Sequence, residues 1–83
     1  MFNTLKTNGH NLVKVGMKVK YRGAWGFDPE KETTIVSIDL CDCEGAKYGD
    51  PVDEILVDEV RRSNFTFSDN HWAYGYQITE ILG

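Results

Sequence analysis

Glu32-Thr33-Thr34-Ile35-Val36-Ser37-Ile38-Asp39-Leu40 is the stretch that decides the fold class. It is crowded with β-branched residues, whose stiff side chains suit an extended, half-buried backbone. A strand sends alternate side chains to opposite faces, so one face cannot hold both Ile35 and Val36. With period two, Val36, Ile38 and Leu40 are expected to point inward. Upstream, Val13-Lys14-Val15 and Val19-Lys20-Tyr21 alternate apolar with charged residues around Gly16-Met17-Lys18, again the mark of a half-buried strand. Gly23-Ala24-Trp25-Gly26-Phe27-Asp28-Pro29 breaks the pattern and reads as a loop carrying two aromatics.

Downstream, residues 41–53 form a turn-rich excursion. Glu54 to Arg62 fits either a strand or a short helix with a basic end, and a strand running into a tight turn is the preferred reading. Asn64-Phe65-Thr66-Phe67, a turn at Ser68-Asp69-Asn70-His71, and Trp72-Ala73-Tyr74 read as a hairpin. Asp69 and Asn70 tolerate the left-handed backbone of a tight turn. Ile78-Thr79-Glu80-Ile81-Leu82 supplies a last short strand or turn. About five short strands punctuated by glycine and proline point to a mostly β, small antiparallel barrel, with room for one short helical turn. Residues 1–12 are expected to be a flexible N-terminal arm and residues 13–83 a single barrel domain. Closing the sheet would hide edges that otherwise invite aggregation.

The 83 residues, 41% hydrophobic and 12% aromatic, make one globular domain too small for a deep enzyme cleft. No apolar run approaches the ~20 residues of a membrane helix, and the N-terminus lacks a signal-peptide core. A cytoplasmic protein is therefore expected, with no membrane contact, and Asn64-Phe65-Thr66 carries no meaning as a glycosylation acceptor. Cys41 and Cys43 are too close for an unstrained disulfide and read as thiols.

The net charge of −4 conceals a segregation. Residues 1–27 carry five cations and no acid, residues 28–60 carry eleven acids against two lysines, and residues 61–83 are neutral. A basic strand lying beside an acidic one accounts for this through cross-strand pairs. The competing reading is a nucleic-acid face built from Lys14, Lys18, Lys20 and Arg22, with Tyr21 and Trp25 stacking. The chain's overall acidity speaks against it.

Gly16-Met17-Lys18-Val19-Lys20-Tyr21 resembles the opening strand of SH3-like barrels. His71-Trp72-Ala73-Tyr74-Gly75-Tyr76-Gln77-Ile78 resembles their closing stretch, in which a Gly-Trp strand enters a one-turn helix. The resemblance puts the family's Trp at Trp72 and its terminal Val at Ile78. The ligand-stacking Pro falls on Tyr74 and the ligand-stacking Tyr on Gln77. The Ala-Leu-Tyr-Asp-Tyr opening of signalling SH3 domains is absent, so the resemblance implies a barrel rather than a proline-rich ligand. The stretch Tyr48-Gly49-Asp50-Pro51-Val52-Asp53 and the tail are also similar to small uncharacterised proteins of gut bacteria and their phages. That likeness implies a small accessory protein and brings no activity.

Tyr21, Trp25, Phe27, Trp72, Tyr74 and Tyr76 gather around the first loop and the last hairpin. Trp72 is expected in the core of so small a domain, and Trp25 or Tyr74 at the surface. The candidate binding rim is Trp25, Phe27, Tyr74 and Tyr76, contacting a protein or peptide, with the acidic 39–59 stretch steering a basic partner. The chain is expected to be a monomer or a weak homodimer. No metal or other cofactor is expected: Cys41, Cys43, His10 and His71 lack zinc spacing, and an EF-hand register on Gly45 would start at Leu40 and end at Pro51. Nor is an enzyme expected. The pairs Asp53-Glu54 and Asp58-Glu59 point to opposite faces of a strand, and no nucleophile sits beside a patterned histidine.

Overall fold

The computed structural model describes residues 5–23, 27–41 and 49–83. Eight strands occur among them: β1 (Leu12–Lys14), β2 (Lys18–Arg22), β3 (Glu30–Leu40), β4 (Asp50–Val52), β5 (Glu54–Leu56), β6 (Ser63–Phe67), β7 (Trp72–Tyr74) and β8 (Ile78–Ile81). All strand pairs are antiparallel. The main sheet runs β7-β6-β3-β2-β8, with β4 also on β3, while β1 and β5 form a separate two-stranded sheet. The mostly β, antiparallel expectation holds; the strand read across Val13 to Tyr21 is two strands, β1 and β2, and the three-residue β4 lies in the stretch read as a turn-rich excursion. Among the described residues no ladder joins β7 to β8. A 3-10 helix, Gly75–Gln77, spans that gap.

The eleven-residue β3 organises the molecule, pairing β2 along its first half and β6 and β4 along its second. Thr33 and Ile35 face inward, and so does Ile38. The phase changes at a register shift between Ile35 and Ser37 in the ladder with β6. An extra residue at that point turns the strand's sides over, as a β-bulge does. Val36 is therefore exposed rather than inward, correcting the strict period-two expectation, and Leu40 is half-buried.

Regular alternation holds in β2 and β6. Val19 and Tyr21 of β2 and Phe65 and Phe67 of β6 are inside, as is Ala73 of β7. With Val13, Ile35, Ile38, Ile55, Val60, Ile78 and Ile81 they make one core cluster. Each large apolar side chain so buried contributes roughly 1.5–3 kcal/mol.

The segment Glu54 to Arg62 is both of its readings in turn: strand β5, then a 3-10 helix, Val57–Arg62. The Leu56 backbone N–H donates to Glu59 Oε1 at 2.9 Å, which starts the helix, and Val60 anchors it in the core. The second helix packs on the first so closely that a Cβ on Gly75 would lie 1.5 Å from the Val60 carbonyl oxygen. Only glycine fits there.

Residues 5–11, expected to be part of a flexible arm, lie against β8. Lys6 forms a parallel bridge with Glu80, and backbone bonds run from Lys6 N–H to the Thr79 carbonyl (3.0 Å) and from Ile81 N–H to the Lys6 carbonyl (2.8 Å). Asn8, at φ +52°, donates through Nδ2 to the Ile81 carbonyl (2.8 Å) and to Glu80 Oε2 (3.0 Å). No helix among the described residues is long and apolar enough to cross a membrane.

Candidate functional site

Two connections meet at one end of the main sheet. The first joins β2 to β3. There the Asp28 N–H donates to the Gly23 carbonyl at 3.2 Å, and Arg22 Nη1 donates to the Asp28 carbonyl at 3.2 Å. The second is the β6–β7 turn, residues 68–71. Asn70 takes φ +67°, the Phe67 N–H donates to the His71 carbonyl (2.9 Å), and the Ser68 N–H donates to the Thr34 carbonyl (2.9 Å). That last bond ties the turn to the middle of β3, at the residue opposite Lys18.

Tyr21 bridges the two. Its ring packs on Phe67 with centroids 4.5 Å apart, and its hydroxyl reaches His71 Nδ1 (3.1 Å) and Asp69 Oδ2 (3.4 Å). Asp69 also accepts from the His71 backbone N–H through Oδ1 (3.0 Å). With the imidazole proton on Nδ1, His71 donates to the phenol oxygen, which donates in turn to Asp69. Burial pushes the Tyr21 phenol above its ordinary pKa, and the charge of Asp69, its hydrogen bond and the charge of Asp28 push it further. Both carboxylates therefore bear on the same oxygen atom.

Between the two connections lies a cleft of about 420 Å³, lined by Tyr21, Gly23 and Asp28, by Lys31 near the start of β3, by Asn70 and His71 of the turn, and by Trp72 at the start of β7. Trp72 is 59% exposed, which corrects its expected place in the core. The reason is the alternation along β7: Ala73 takes the interior position, so Trp72 and Tyr74 share the opposite face. Their rings meet edge to face at 5.0 Å, and Tyr74 stacks on Tyr76 at 5.7 Å.

Of the rim expected from sequence, Trp25 lies outside the described residues, as do Asp42 to Tyr48 of the acidic excursion. Phe27 is 89% exposed beside the cleft residue Asp28. Tyr74 is buried between its two aromatic neighbours, so it supports Trp72 rather than offering a face of its own, and Tyr76 is half-buried. Gln77, where the resemblance put a ligand-stacking residue, is buried. Its Nε2 donates to the Arg22 carbonyl (3.0 Å) and its Oε1 accepts from the Tyr74 N–H (2.9 Å), clamping the end of β2 to β7. Reading the sequence strand by strand missed Trp72, Asp69 and His71 as site residues. The available signal was Trp72's placement immediately after a turn, opposite the interior Ala73.

The basic stretch is countered across its ladders. Lys20 stands opposite Glu32 on one side and Glu80 on the other, with Nζ 3.8 Å from Glu80 Oε1. Arg22 stands opposite Glu30, and Lys14 opposite Glu54. Lys18 faces Thr34. The cross-strand account of the charge segregation is therefore the one the register gives. No group of three His, Cys, Asp or Glu able to hold a metal ion occurs among the described residues. Comparison of the chain with protein-family models, with curated proteins and with solved structures finds no match.

Proposed function

We propose that this protein is a non-catalytic interaction module that takes a protein or peptide partner in the cleft beside Trp72. The observation that carries the reading is an indole 59% exposed at the edge of a concave surface. An exposed aromatic held by a buried one is a common anchor for a partner, because it is large and loses little entropy on contact. Phe27 and Tyr76 extend the contact surface on this reading. The order β8-β2-β3-β6-β7, with a 3-10 turn before the last strand, supports an SH3-like architecture. The thiol of Cys41 donating to the Asp39 carbonyl at 3.7 Å suits a reducing compartment, and the cytoplasm is the setting proposed.

Binding is preferred to chemistry because Tyr21, Asp69 and His71 engage one another, and no serine or cysteine stands with them among the described residues lining the cleft. The nucleic-acid alternative is weakened by the glutamates facing Lys14, Lys20 and Arg22.

The test is capture from host-cell lysate with the whole protein and with Trp72→Ala. A partner retained by the first and lost by the second supports the reading. Identical capture by both refutes it. Retention of nucleic acid that falls steeply with salt would favour the basic strand instead.

A further inference from the structure

We propose that the cleft recognises an arginine side chain of the partner, its guanidinium lying against the Trp72 indole and donating to the Asp28 carboxylate. This inference rests on the proposed binding role and names the chemistry of that same site.

Charge and space both point this way. Asp28 and Asp69 are offset by Lys31 and by Arg22, whose Nη1 donates to the Asp28 carbonyl, so the attraction for a cation is local to the Asp28 carboxylate on the cleft wall. Among the described residues no ion pair joins Lys31 to Asp28, so the Asp28 carboxylate is not already neutralised from across the cleft. That carboxylate lies over Gly23, where a Cβ would sit 3.0 Å from Asp28 Oδ2. A side chain there would push the acid away, so the glycine gives it room. Asp69 stands behind Tyr21 and His71. The Tyr21 hydroxyl is engaged by both Asp69 and His71, so the acceptor left for a donor arriving from the cleft is the Asp28 carboxylate. A guanidinium is planar, weakly hydrated and carries five N–H donors, so it can stack on an indole and bond a carboxylate at once. An ammonium satisfies one of these demands at a time. A phosphate group would be repelled by the Asp28 carboxylate at the point of contact.

The test uses three capped pentapeptides that differ only at the central residue: arginine, lysine or citrulline. Each is titrated into the isotope-labelled whole protein while the Trp72 indole N–H signal is followed. The arginine peptide is expected to move that signal saturably, the lysine peptide about threefold or more weakly, and citrulline, which keeps the shape and loses the charge, about tenfold or more weakly. Asp28→Asn is expected to weaken the arginine peptide about tenfold and Asp69→Asn by less, both with the folded spectrum retained. Equal binding of the citrulline and arginine peptides, or an unchanged affinity in Asp28→Asn, overturns the arginine inference and leaves the binding role standing. Failure of all three peptides to move the Trp72 signal overturns both. A signal moved instead by neutral oligosaccharides alone would assign the cleft to a sugar.

Discussion

The two ends of the main sheet are treated in opposite ways. At β8 the chain returns on itself: Lys6 bridges Glu80, and the Asn8 amide fastens the Ile81 carbonyl. At β7 the sheet ends in a three-residue strand whose first side chain is an exposed indole. An edge left open is a hazard unless it is short, covered or charged. One edge here is covered and the other is shortened, then handed to the 3-10 helix Gly75–Gln77. The sealed end is held by backbone and amide hydrogen bonds, whereas the proposed recognition surface lies at the end that was left short.

That contrast can be broken in graded steps. The largest effect is expected beneath the cleft. Phe67→Ala removes a fully buried ring and the platform under Tyr21, and should cost about 3–5 kcal/mol in a urea titration. Gly75→Ala comes next, at about 3 kcal/mol, because the new methyl group meets the Val60 carbonyl and must force the two 3-10 helices apart. Asn8→Ala should cost about 1 kcal/mol by leaving the Ile81 carbonyl and Glu80 without their donor. Its sharper readout is faster hydrogen exchange at the Ile81 amide, with the β6–β7 hairpin unchanged. Trp72→Ala should cost at most about 1 kcal/mol, mainly the edge-to-face contact with Tyr74, while abolishing partner capture. A Trp72→Ala protein as unstable as Phe67→Ala would show that both ends serve the core.

The smallest expected effect is on pH. The Tyr21 phenol is raised in the folded state, chiefly by burial and then by Asp69 and Asp28. The folded protein therefore holds that proton where the unfolded chain releases it. Its contribution is full below the ordinary tyrosine pKa of about 10 and is lost as pH rises through the folded value. Stability compared between pH 9 and pH 11 should fall further in the natural protein than in Tyr21→Phe. Equal falls would mean that the Tyr21 phenol is not raised in the folded protein.

Much of the sheet is legible from alternation alone. Val19 with Tyr21, and Phe65 with Phe67, each share the buried face that period two assigns them. The hairpin turn is legible because Asn70 tolerates positive φ. Val36 was not, because a bulge shifts the phase without altering the run of β-branched residues that marks the strand. Trp72 was misplaced because size argues for the core while position on β7 decides exposure. The cleft was illegible for a different reason. Tyr21 meets Asp69 and His71 across 48 and 50 residues of chain, and no local pattern records a meeting of that kind.

The bridge between Lys6 and Glu80 also has a bearing on synthesis. The β6–β7 hairpin can close as soon as its few residues leave the ribosome, since its partners are neighbours in sequence. The bonds from residue 6 to residues 79 and 81 must wait for almost the whole described chain to emerge. Until then β2 has no partner on its β8 side, and the newborn chain carries an open ladder on the flank that the finished protein seals.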